Sequence, residues 1–162
     1  MEKQKIKTIK ELKNIVEDLK KQNKVVVTTN GVFDILHMGH IRYLKEAKKL
    51  GDVLIVAINS DLSTKQIKGQ KRPLNNEKDR AEALAELECV DYVTIFSENN
   101  PIKILEEIKS DIHAKGGDYK MDQIIEKDTV EKNNGKIILI PEVKGYSTTD
   151  LIKKIIELHK GN

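Results

Sequence analysis

The chain has no tryptophan, two phenylalanines and four tyrosines. That is too few aromatic faces for a base-stacking platform, so a nucleic-acid partner is not expected. A single cysteine, Cys89, excludes an internal disulfide and suits a reducing compartment. It lies between a helical run and a strand run and reads as a buried structural thiol. No apolar run is long enough for a membrane span or a signal peptide, and the N-terminus is charged, which sets the expectation of a cytoplasmic protein with no membrane partner. Charge of one sign is also scarce, since 29 basic and 26 acidic residues leave a net +3. No Ser–His–Asp or Cys–His set is evident, and no carboxylate cluster suggests a protein-bound metal.

What remains is a chain of 162 residues, 38% hydrophobic and 34% charged, which fits one domain with a sizeable core. Thr8-Ile9-Lys10-Glu11 is a capping-box pattern, and Ile9, Leu12, Ile15, Val16 and Leu19 follow at helical spacing. Residues 1–23 are therefore read as a flanking helix and 24–162 as the main domain. Strands are expected at Val25–Thr29, Asp52–Asn59, Val90–Phe96, Asp111–Lys115 and Lys136–Ile140, alternating with helices. The run Asp52–Asn59 is apolar throughout, as in a strand buried on both faces of a parallel sheet. The fold class implied is α/β, a Rossmann-like doubly wound parallel five-stranded sheet with its ligand at the switch point. Ser60–Asn76 is polar, carries Lys65, Lys68, Lys71 and Arg72, and reads as a mobile loop at the carboxyl edge. Met121–Asn133 reads as a polar helix, and His113 as structural or surface-facing.

The organising stretch is Asn30-Gly31-Val32-Phe33-Asp34-Ile35-Leu36-His37-Met38-Gly39-His40. It sits where the first strand turns into a helix whose apolar positions are 41, 44, 47 and 50. Free N–H groups and the positive dipole end at such a turn favour a phosphate, and imidazoles placed there can donate to the same anion. A zinc pair would need further ligands, and two packed core histidines are the other alternative. A bound anion is the main reading. Gly116 and Gly117 at a strand end allow close backbone approach, or an ordinary turn. Ser147, Thr148 and Thr149 open the last amphipathic helix, as an N-cap or as a second anion cradle.

The stretch Thr29–His40 resembles the His-x-Gly-His signature of the cytidylyltransferase-like nucleotidyltransferases, and more narrowly the adenylyltransferase half of the ADP-heptose synthases. The resemblance continues in order through Arg42-Tyr43-Leu44, Leu50-Gly51-Asp52, Val56–Asp61, Lys68-Gly69, Arg72-Pro73-Leu74, Asp79-Arg80, Glu88–Val93, Lys115–Tyr119 and Gly145–Thr149. It implies a nucleotidyltransferase that moves AMP from ATP to a sugar 1-phosphate, D-glycero-β-D-manno-heptose 1-phosphate, releasing pyrophosphate. Mg²⁺ would arrive on the triphosphate. His37, His40, Lys65 and Lys68 are the implied catalytic residues. Asn30, Gly31, Val32, Phe33, Gly39 and His40 would hold the nucleotide together with Arg80, Gly116, Asp118, Ser147, Thr148 and Thr149. The alternative reading of Arg80 is a partner of Glu77 or Glu82. The resemblance further implies a separate sugar kinase upstream and a homo-oligomer. Alternatives are a cytidylyltransferase for glycerol 3-phosphate, a flavin-nucleotide transferase, and a nucleotide-binding regulatory module. Glu142 stands where the glycerol-3-phosphate enzymes carry an arginine, which weighs against the cytidylyl alternative.

Overall fold

A computed structural model describes residues 4–161. Its strands are β1 (Val26–Gly31), β2 (Val53–Asn59), β3 (Tyr92–Phe96), β4 (Ile112–Gly116) and β5 (Lys136–Ile140). They form one parallel sheet in the order β3-β2-β1-β4-β5. The order reverses beside β1, where the chain leaves for β2 and later returns to β4. A crevice opens at such a switch point, outside the carboxyl ends of the strands.

The helices are α1 (Ile9–Lys21), α2 (Met38–Lys48), α3 (Asp61–Lys68), α4 (Glu77–Ala85), α5 (Ile102–Ile108), α6 (Lys127–Lys132) and α7 (Thr148–Leu158). They cover both faces of the sheet. Leu44 and Ala47 of α2 pack with Ala81 and Leu84 of α4 over one face. Leu12 and Val16 of α1, Ile104, Leu105 and Ile108 of α5, and Val130 of α6 fill the other. The expected capping box on α1 is present, with Thr8 Oγ1 accepting from the Glu11 N–H and Glu11 Oε2 from the Thr8 N–H.

Three details differ from the sequence reading, and for His113 its structural alternative holds. Residues 5–7 join the sheet rather than stand apart with α1, since the Lys7 N–H donates to Val93 O at 2.9 Å and the Val93 N–H to Lys5 O at 3.0 Å. This blunts the open edge of β3. The first half of Ser60–Asn76 is helix α3, because Ser60 caps it by accepting from the Ser63 N–H and buried Ser63 and Thr64 anchor it. Met121–Asn133 splits into a 3₁₀ turn at Met121–Gln123 and the short α6. His113 is fully buried, with its Nδ1 2.9 Å from Thr28 Oγ1.

Candidate active site

A cavity of about 640 Å³ lies over the switch point. The turn from β1 to α2 forms its centre. Phe33 there has φ +50, uncommon for a residue with a side chain, and its ring folds back so closely that a Cβ on Gly31 would meet it at 2.9 Å. Gly31 is thus needed for the chain to turn and leave the β1 end open to a ligand.

His37 and His40 cap α2 reciprocally. The His40 N–H donates to His37 Nδ1 and the His37 N–H to His40 Nδ1, both at 3.4 Å. The rings stack with centroids 3.8 Å apart. An acceptor Nδ1 places the proton of each neutral ring on Nε2. Burial, then the neighbouring His37, push the His40 imidazole down to about 4, and the Ile35 carbonyl only partly opposes this. Burial also lowers His37. Both rings are therefore neutral donors at neutral pH in the free protein. Gly39 serves this pair rather than the cavity: a Cβ there would sit 2.7 Å from Tyr146 Cβ and 2.9 Å from the His37 ring. Tyr146 in turn stacks on His37, at 6.0 Å between centroids.

The cavity gathers Asn30, Gly31, Val32, Phe33, His40, Lys68, Gly116, Asp118, Thr148 and Thr149 from the residues singled out in the sequence. His37 lies behind His40 as its cap. Ser147 is the N-cap of α7, accepting from the Asp150 N–H at 3.3 Å, and aims Thr148 and Thr149 into the site. Lys65 is exposed on α3 and does not line the cavity. Arg80 departs most from expectation. It is 1% exposed and does not line the cavity: Nη1 donates to Val32 O at 2.7 Å, Nε to Asn75 O at 3.0 Å and Nη2 to Asp61 Oδ1 at 2.8 Å. It ties three loops of the carboxyl edge together, and its acidic partner is Asp61 rather than Glu77 or Glu82.

Sequence reasoning passed over Asp34, Arg72, Asn59, Tyr43 and Lys115, which all line the cavity. Asp34 is buried and accepts from Arg72 Nε at 2.7 Å and from the N–H groups of Leu74 and Asn75 at 2.9 Å. Burial alone would raise its carboxyl, but those donors hold it below the usual carboxylate range. Among the described residues only Nε of Arg72 is hydrogen-bonded, which leaves its two terminal nitrogens for an anion. The second half of the lysine-rich segment is thereby fastened to the β1–α2 turn. A signal was present, since Asp34 falls inside the histidine stretch itself. Asp118 is the one lining carboxylate that carries neither a cation nor a backbone donor among the described residues. That donor set suits a metal ion brought on phosphate oxygens and completed by water, not a protein cage. Among the described residues no group of three or more His, Cys, Asp or Glu is placed to hold a metal ion.

Residues 28–154 match the family described as Cytidylyltransferase-like. The chain belongs to that family. It is 46% identical over 155 residues to the bifunctional protein HldE of Geobacter metallireducens, covering 96% of this chain and 32% of that one. It is 48% identical over 150 residues to the HldE of Nitratiruptor, covering 93% and 32%. The chain therefore spans about a third of the length of the curated relatives it matches. The crystal structure of the lipopolysaccharide core biosynthesis protein of Thermoplasma volcanium superposes with a TM-score of 0.63 at 37% identity, over 76% of this chain and 99% of that one. A pantoate-beta-alanine ligase from Francisella tularensis shares the fold, with a TM-score of 0.61 at 24% identity over 94% and 77%. As a cytidylyltransferase-like protein, the chain is a nucleotidyltransferase.

Proposed function

We propose that the chain is an adenylyltransferase that moves AMP from ATP to D-glycero-β-D-manno-heptose 1-phosphate, giving ADP-heptose and pyrophosphate. The observation that carries this reading is the reciprocal histidine cap, which presents neutral Nε2 donors at the N-terminus of α2 beside a cavity large enough for a nucleotide. A phosphate oxygen of the sugar 1-phosphate attacks the α-phosphorus as the bond to the bridging oxygen breaks, and pyrophosphate leaves with that bonding pair. The acceptor is already an anion, so no general base is needed. The site supplies alignment and charge stabilisation. His40, backed by His37, donates to the α-phosphate, as do the N–H groups of the turn. Lys68 and Arg72 take the departing pyrophosphate, and Thr148 and Thr149 complete the cradle. Asp118 accepts from ribose hydroxyls or reaches the water shell of Mg²⁺. A magnesium ion brought by ATP would supply neutralisation of phosphate charge.

The reading includes a cytoplasmic location, a kinase that supplies the sugar 1-phosphate, and a catalytic domain over 24–162. It also includes self-association: α7 exposes Leu151, Ile155, Ile156 and Leu158, which a second copy can cover. Light scattering tests that point. No helix among the described residues is long and apolar enough to cross a membrane. The deciding experiment sets ATP, CTP and other triphosphates against heptose, hexose and polyol phosphates and reads pyrophosphate. Fastest turnover with ATP and the heptose 1-phosphate is expected. Faster turnover with CTP and glycerol 3-phosphate would overturn the assignment.

A further inference from the structure

The cavity has two walls of opposite character, and phosphates suit only one of them. On the side of α2 and α7 stand His40, Thr148 and Thr149, with Lys68 and Arg72 as cations. The other wall belongs to the layer of α5 and α6. Asn99 and Asn100 precede α5, Gln123 and Glu126 precede α6, and Ile124 packs in the core cluster of α1 and α5. This wall is three carboxamides and a carboxylate.

The Glu126 side chain is only 3% exposed and still lines the cavity. Its Oε1 lies 2.6 Å from Lys115 Nζ and 3.4 Å from His113 Nε2, both on β4. A buried carboxylate is costly unless paired, and here the pairing also cancels the one cation on this wall. Lys115 is further tied to Asn30 Oδ1 at 3.3 Å and His113 to Thr28 Oγ1 at 2.9 Å, so the carboxylate is rigidly placed. No hydrogen bond reaches its Oε2 among the described residues. Burial pushes the Glu126 carboxyl up, but the bonds from His113 and Lys115 outweigh it and bring it down to about 2. At neutral pH the group is an acceptor only.

We infer that this wall binds the hydroxyls of the acceptor sugar, with Glu126 as the residue that selects for them. The inference rests on the transfer reading above. The paired carboxylate leaves this wall no net positive charge for a triphosphate, and its Oε2 demands hydrogen donors, which a polyol has in number. Adenine offers one amino group and needs an apolar or aromatic face, whereas the Tyr119 ring that lines the cavity lies 5.0 Å from the Lys115 ammonium and is engaged by it. In-line transfer also separates the acceptor from the leaving pyrophosphate across the α-phosphorus. With Lys68 and Arg72 on the pyrophosphate, the sugar falls to the opposite wall.

The test is steady-state kinetics on Glu126→Gln, which keeps the shape and removes the charge, with ATP and D-glycero-β-D-manno-heptose 1-phosphate. The expected result is a KM for the sugar phosphate raised about tenfold or more, with kcat and the KM for ATP within about twofold. Asn99 is exposed and holds no structural bond, so Asn99→Ala repeats the measurement in a protein of unchanged fold, with a smaller rise in the same KM. A rise in the KM for ATP instead, or an unchanged KM for the sugar phosphate in both variants, would overturn this inference and leave adenylyl transfer standing. Wild-type protein that releases no pyrophosphate from this pair would overturn both.

Discussion

Arg72 Nε donates to Asp34 Oδ2 across 2.7 Å, and the same carboxylate takes the backbone N–H groups of Leu74 and Asn75. The Asn75 side chain returns a bond to Asp34 O at 2.6 Å. Through this pair the loop between α3 and α4 is fixed to the histidine turn, and a guanidinium is held in the cavity. Asp34→Asn keeps the size but loses the charge-assisted bonds. It is expected to lower stability by about 2–3 kcal/mol and to raise the KM for ATP in the protein that remains folded. Urea melts and initial rates check both; an unchanged KM would remove Arg72 from the phosphate site.

His40→Ala is expected to lower kcat by about 10²–10³, the usual cost of one transition-state donor. ATP affinity, measured by calorimetry, should fall far less, since the interaction strengthens as charge builds on the α-phosphate. A tighter coupling to ATP affinity than to kcat would make the ring a ground-state contact.

The same ring gives a pH signature. His40 in the free protein titrates at about 4, below the ordinary histidine range, because it is buried. The unfolded chain therefore binds more protons between that value and about 6.5, and stability is present above the upper limit and lost as pH falls through the lower one. A melting temperature that drops across this window, and drops less in His40→Ala, is the expected outcome. Bound phosphate favours the imidazolium, so ATP binding near pH 6 should take up protons, seen as a dependence of the calorimetric heat on buffer ionisation.

Arg80→Lys tests the reassignment of that residue. One ammonium cannot serve Val32, Asn75 and Asp61 together, and breaking a buried pair costs about 3–5 kcal/mol. A large fall in melting temperature is expected, even with saturating ATP. Normal stability with a raised KM for ATP would restore Arg80 to the phosphates.

Gly39→Ala places a Cβ where Tyr146 and the His37 ring already are. The expected effect is a kcat reduced about tenfold or more through the displaced rings, with α2 still formed, as circular dichroism would show. Normal activity would mean that the stacking of Tyr146 on His37 is incidental.

The sheet was legible because its strands are β-branched runs between clear helix signals, and the histidine turn because chemistry and punctuation coincide there. Helix α3 was missed for a physical reason. Its residues Asp61–Lys68 are mostly polar, and the buried ones are Ser63 and Thr64, so no apolar stripe announces it. What holds it is a cap and the bond from Asn59 Nδ2 to Ser63 Oγ, at 2.8 Å. Arg80 was misplaced because a cation in a first helical turn is disfavoured by the dipole unless an anion is near. The anion turned out to be Asp61, 19 positions earlier. Glu126 and Lys115 meet only because the segment between β4 and α6 folds back on that strand, which no local spacing encodes.

The two hydrogen bonds that finish α2 are also the ones that set which nitrogen of each histidine carries its proton. Anyone transplanting this chemistry to another scaffold would have to carry the helix start as a unit, with Gly39 and the overlying Tyr146, because two imidazoles copied without it would arrive with neither tautomer fixed nor direction.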